Sequence, residues 1–183
     1  MTTLWELTAG TIVLAWAFNW LPYVRPLYAV IAASILMTVV ALPDWSFSGI
    51  WIATFEPFGV MLPALCGMRL VQASGWQGPP PVPRLDKLVW ALLILVVLLG
   101  AGGALSMHPY AWFYTGLGPA ILALAVGAWS LWRRQTVVIG AVVVAQVLWL
   151  ADVGSSNIYD HLAHVLLVPG LILSGLWPVR RAT

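Results

Sequence analysis

The residues able to do chemistry gather in one stretch, Asp152-Val153-Gly154-Ser155-Ser156-Asn157-Ile158-Tyr159-Asp160-His161-Leu162-Ala163-His164, which holds two of the six acids and two of the three histidines. Gly154 to Asn157 breaks any preceding helix, and Asn157 is a natural N-cap for a following one. Asp160 then stands at N3, where a carboxylate reaches back to the cap and complements the helix dipole. His161 and His164 are three residues apart and Asp160 and His164 four, so on a helix they share one face at roughly 5–6 Å. Two imidazoles and a carboxylate at that spacing predict a transition-metal site, zinc or copper, once further donors complete the shell. His108, in the Ser106–Tyr110 turn, and Asp152 are the candidates, with Met107 as a soft ligand for copper. The competing reading is structural: a capped helix start with interfacial hydrogen-bonding histidines.

A second polar group is Glu56, beside Pro57. Within an apolar span it would be protonated or paired, at a cost of at least ~2.5–3.5 kcal/mol near a bilayer centre. At a helix start it merely flanks a proline at the first helical position. Gln146 and Asp152 complete a candidate intramembrane polar site with Glu56. Phosphate-cradling glycine loops, GxSxG and CxxC motifs are absent, and the single Cys66 reads as a small buried hydrophobe.

The elements that must position these residues are apolar. Hydrophobic residues make up 62% and charged ones 8%, about a third of the roughly 25% usual in soluble domains. With twelve tryptophans, this composition predicts an all-α polytopic integral membrane protein. Seven apolar segments serve as candidate transmembrane helices: Leu4–Pro22, Leu27–Leu42, Ile50–Val71, Leu88–Leu105, Leu117–Trp132, Thr136–Leu150 and Asp160–Trp177. Arg25, Arg69, Arg84, Lys87, Arg133, Arg134, Arg180 and Arg181 then share one side, which places the N-terminus outside and the C-terminus in the cytoplasm. Residues 1–183 read as a single transmembrane domain, with three helices in 1–73, a Pro-rich cytoplasmic loop in 74–87 and four helices in 88–183. Pro63, Pro119 and Pro169 read as helix kinks.

The expected placement is a bacterial cytoplasmic (inner) membrane. Expected partners are the lipid bilayer and membrane-protein subunits or further copies of the chain. Nucleic acid is excluded, because the basic residues form no patch. Function reads as a non-enzymatic accessory or scaffold subunit of a larger membrane complex, or a small solute-handling component. The alternative is an outer-face transition-metal site on Asp160, His161, His164 and His108 that binds the ion or hydrolyses through it.

Overall fold

The computed structural model describes residues 4–39, 41–42, 45–55, 59–76, 82–114, 116–153 and 155–176. Glu56, the prolines Pro79–Pro81, Gly154, Arg180 and Arg181 lie outside the described residues. The chain divides into two compact units, one of residues 1–58 and 62–79, the other of 59–61 and 80–183.

The first unit holds α1 (Leu4–Phe18), α2 (Pro26–Val39), the two-residue strands β1 (Ala41–Leu42) and β2 (Trp45–Ser46), α3 (Phe47–Phe55) and α4 (Met61–Ala73). The strands pair antiparallel, Ala41 with Ser46 and Leu42 with Trp45. Its core is built on small residues: Ala9, Gly10 and Ala15 on α1 and Ala29 and Ala33 on α2 are buried. A side chain on Gly10 would meet Met37 Cε at 2.9 Å and the Trp51 indole at 3.2 Å, so its bare Cα lets α1 approach α2 and α3.

The second unit holds α5 (Arg84–Ala101), a 3₁₀ turn (Pro109–Phe113), α6 (Gly118–Trp132), α7 (Thr136–Leu150), α8 (Ile158–Leu162) and α9 (Leu167–Leu176). Helix α5 packs along α9, α6 along α7 and α7 on α8, while the 3₁₀ turn touches α5, α6 and α8. Only Arg133, Arg134 and Gln135 separate α6 from α7, and Arg134 takes a left-handed backbone (φ 54°) to close that hairpin.

Apart from β1 and β2, the regular structure of the described residues is helical, but none of their helices is long and apolar enough to cross a membrane. The seven-span bundle, its N-outside and C-inside orientation and the inner-membrane placement are thereby overturned. The longest helix, α5, has 18 residues and spans about 27 Å, yet its first turn carries Arg84, Asp86 and Lys87. Its apolar remainder from Leu88 to Ala101 covers about 21 Å, short of the ~30 Å that a hydrocarbon core demands. Two of the expected spans are divided. Ile50–Val71 is shared between α3 and α4, and Asp160–Trp177 between α8 and α9.

Proline position accounts for much of this. Pro26 and Pro109 open their elements, Pro119 is the second residue of α6, and Pro63 and Pro169 are the third residues of α4 and α9. In a first turn the missing N–H has no helical acceptor to lose, whereas mid-helix the ring clashes with the carbonyl four residues back. Pro63, Pro119 and Pro169 therefore mark where helices begin. They are not kinks within longer ones.

Candidate functional site

Asn157 caps α8. Its Oδ1 accepts the Tyr159 N–H at 2.9 Å, and its own N–H donates to Ser155 Oγ at 3.0 Å. Its Nδ2 donates to the carbonyl of Tyr110 at 3.1 Å, which ties the cap to the 3₁₀ turn. Because Ser155 occupies the cap N–H, Asp160 at N3 does not reach back to it. The Asp160 carboxylate instead accepts the Ser155 hydroxyl at 2.6 Å and the Tyr110 hydroxyl at 2.9 and 2.8 Å to its two oxygens. Tyr159 donates its hydroxyl to the Ile94 carbonyl at 3.1 Å, and its ring stacks on Phe113 with centroids 5.9 Å apart. Burial above all, then Asp160, pushes the Tyr159 phenol up from its ordinary pKa. The Tyr110 phenol is raised by burial first, then by Tyr114 and Asp160.

The histidines are employed separately. His161 Nε2 lies 2.7 Å from the Ser155 carbonyl; a carbonyl only accepts, so this nitrogen carries the proton. His164 Nδ1 accepts the Leu166 N–H at 3.1 Å, and His108 Nδ1 donates to the Gly100 carbonyl at 3.2 Å. Helix α8 ends at Leu162 and Ala163 is extended (φ −119°, ψ 153°), so His161 and His164 do not share a helical face. Among the described residues, no three of His, Cys, Asp and Glu come together as a metal-binding group. Asp152 is exposed, in a left-handed turn (φ 52°) just after α7, and Gln146 is half-buried within α7. Cys66 is buried on α4, which pushes its thiol up to about 12.

Gly59 and Val60 close over this cluster. Val60 N–H donates to the His161 carbonyl at 2.5 Å. Gly59 sits where a side chain would run into the backbone oxygens of Asp160, His161 and Ala163.

A second polar cluster, at the other end of α5, was not among the sequence candidates. Asp86 is 1% exposed and accepts Arg133 Nε at 3.0 and 3.2 Å and Gln135 Nε2 at 2.5 Å. Gln135 Oε1 in turn accepts the Trp90 indole N–H at 3.4 Å. The four residues join the first two turns of α5 to the α6–α7 hairpin. A signal existed in the sequence: Asp86 is the lone acid among the basic loops, and a buried carboxylate needs a cationic partner.

The contacts of both clusters hold helix ends. Ser155 Oγ faces a carboxylate and a backbone N–H, while the neighbouring imidazole turns to the Ser155 carbonyl, so nucleophile, base and orienting group are not in series. Among the described residues, these two clusters tie helix ends and the 3₁₀ turn together within the second unit. The chain matches no protein-family model, no curated protein and no solved structure.

Proposed function

We propose that this protein works by association, as a non-enzymatic helical subunit whose apolar helix faces are covered by other helices in a larger assembly. The observation that carries this reading is the exposure of large apolar side chains along both units. Leu4, Leu117, Leu150, Trp132 and Leu124 are each more than 70% exposed, and Leu85, Leu92 and Leu27 more than 60%. Isolated apolar residues on a surface are ordinary, but contiguous apolar area beyond a few hundred Å² marks a contact surface. The closed hydrogen-bonding of the Asp160 cluster supports the same reading, since its groups are spent on local structure.

Native-mass determination and elemental analysis of the purified protein test it together. The expected result is a complex heavier than one chain, without stoichiometric zinc or copper. A solitary monodisperse monomer overturns the assembly role. Stoichiometric metal that is lost on His161→Ala or His164→Ala overturns the non-enzymatic reading in favour of a metal centre.

A further inference from the structure

The sequence scatters its basic residues, but the fold gathers four of them where α5 begins beside the α6–α7 hairpin. Arg84 and Arg134 are exposed there, Lys87 is buried, and Arg133 is partly exposed on Asp86. Asp86 is the one acid of this end among the described residues; the others of the second unit, Asp152 and Asp160, follow α7 and lie on α8. The groups left unspent here are chiefly donors. Asp86 takes only the Nε of Arg133, and its Nη groups have no acceptor among the described residues. The same guanidinium lies 6.0 Å from the centroid of the Trp132 ring. Helices α5 and α7 both start at this end, and neither cap residue, Pro83 or Gln135, gives a side-chain bond to the first-turn N–H groups. One turn before Arg133 on α6, the Trp129 indole N–H is buried without an acceptor. The Ser130 hydroxyl, 0% exposed, is buried without a partner, and the Ser130 carbonyl takes the Gln135 N–H at 2.8 Å. Excess positive charge, bare helix starts and orphan donors in one place call for an oxyanion.

Resting on the assembly role above, we propose that this end of the second unit receives the carboxylates of an acidic segment of a partner subunit. Asp86 and the Trp132 ring already hold the planar Arg133 fork, so it takes a carboxylate with little further ordering. The second unit's own acids do not fill the place: Asp160 accepts from Tyr110 and Ser155, and Asp152 lies past the C-terminal end of α7. A protein segment suits the surroundings better than phosphates of a lipid or a nucleic acid. Leu85, Leu131 and Trp132, each more than 60% exposed, accompany the arginines, so an amphipathic acidic segment meets charged and apolar groups together. The exposed cations, Arg84, Arg133 and Arg134, fall short of the roughly 4–8 basic residues that read an anionic bilayer. They fall short as well of the several phosphate contacts that hold a nucleic acid.

Fluorescence anisotropy of a labelled decaglutamate peptide titrated with the full-length chain tests the site. The peptide should saturate, and Arg134→Glu should weaken it by about tenfold while circular dichroism stays unchanged. Arg25→Glu, at an exposed arginine of the first unit, alters the net charge equally and should leave the affinity within about twofold. Should Arg134→Glu fail to fold, Arg84→Glu at the exposed start of α5 gives the same reading. Decaglutamate that does not bind, or that Arg25→Glu and Arg134→Glu weaken alike, overturns the site. Tighter binding of phosphatidylserine-containing vesicles or of a single-stranded oligonucleotide overturns the assignment to a protein carboxylate. Native mass separates this failure from that of the assembly role. A heavier complex that persists while decaglutamate does not bind overturns the site alone, whereas a solitary monomer overturns the role on which it rests.

Discussion

The Tyr110 hydroxyl lies 2.9 and 2.8 Å from the two carboxylate oxygens of Asp160, fifty residues further along the chain. This contact fastens the 3₁₀ turn to α8, and the Tyr110 ring meets that of Tyr159 edge-on at 5.7 Å. Tyr110→Phe keeps the ring packing and removes only the donor. Hydrogen bonds to charged groups contribute about 1.5–3 kcal/mol, and partial exposure of the pair lowers that to about 1–2 kcal/mol. Chemical denaturation should show a loss of that size for Tyr110→Phe, and an unchanged midpoint would mean the carboxylate draws its support from Ser155 alone.

The two raised phenols make a pH-dependent prediction. Burial first, and the carboxylate of Asp160 after it, hold Tyr159 protonated in the folded state above its ordinary range, and Tyr110 is shifted the same way. Their contribution is complete below the unfolded tyrosine pKa of about 10. Above it the unfolded chain gives up protons that the folded chain keeps, so stability falls as pH rises. For Tyr159 the limiting slope is about 1.4 kcal/mol per pH unit. Stability measured between about pH 9 and 11.5 should turn down near pH 10, and Tyr159→Phe should flatten the fall. An equally steep decline in that variant would locate the alkaline sensitivity elsewhere.

Asp86 and Arg133 predict an asymmetry between neighbouring arginines. Arg133→Ala leaves a carboxylate that is 1% exposed without the Arg133 guanidinium, still accepting from Gln135. Stripping one member from a buried pair costs about 3–5 kcal/mol, and the 35% exposure of Arg133 puts this case near the lower end. Arg134 is exposed, and Arg134→Ala should cost less than about 0.5 kcal/mol. Thermal melts of the two variants should separate clearly. Equal midpoints would show that Asp86 does not depend on Arg133.

Much of the helical layout is legible in the chain, and its physics explains where legibility ends. The apolar runs Leu117–Trp132 and Thr136–Leu150 stand beside α6 (Gly118–Trp132) and α7 (Thr136–Leu150), because Arg133-Arg134-Gln135 interrupts them sharply. Asn157 is readable as a cap, since its side-chain oxygen can accept an N–H of the helix start that follows it. Crossing length was misread because apolar content says how greasy a run is, not where it bends. Pro63 and Pro169 look alike as kinks or as starts until the preceding residues are placed. His161 and His164 lost their shared face because the helix stops at Leu162, between them. Contacts between Tyr110 and Asp160, or Asp86 and Arg133, join residues about fifty apart, and no local spacing encodes them.

Gly59 supports a prediction about the segment that closes over α8. An added Cβ would run into the Asp160 carbonyl oxygen and stand 3.0 and 3.1 Å from those of His161 and Ala163. All three are backbone atoms around the helix end, so none can swing aside as a flexible side chain would. Gly59→Ala must therefore displace the segment and lengthen the Val60 N–H bond to the His161 carbonyl, now 2.5 Å. The combined clash and lost hydrogen bond should cost about 2–3 kcal/mol. Gly67→Ala is the matched control: its Cβ would meet Ile12 Cγ2 at 3.6 Å, an ordinary contact, inside α4. Replacing a mid-helix glycine with alanine there should raise stability by about 0.5–1 kcal/mol. Hydrogen exchange at the Val60 amide should accelerate in Gly59→Ala and stay slow in Gly67→Ala. Wild-type protection of that amide in Gly59→Ala would show that the segment does not need the close approach.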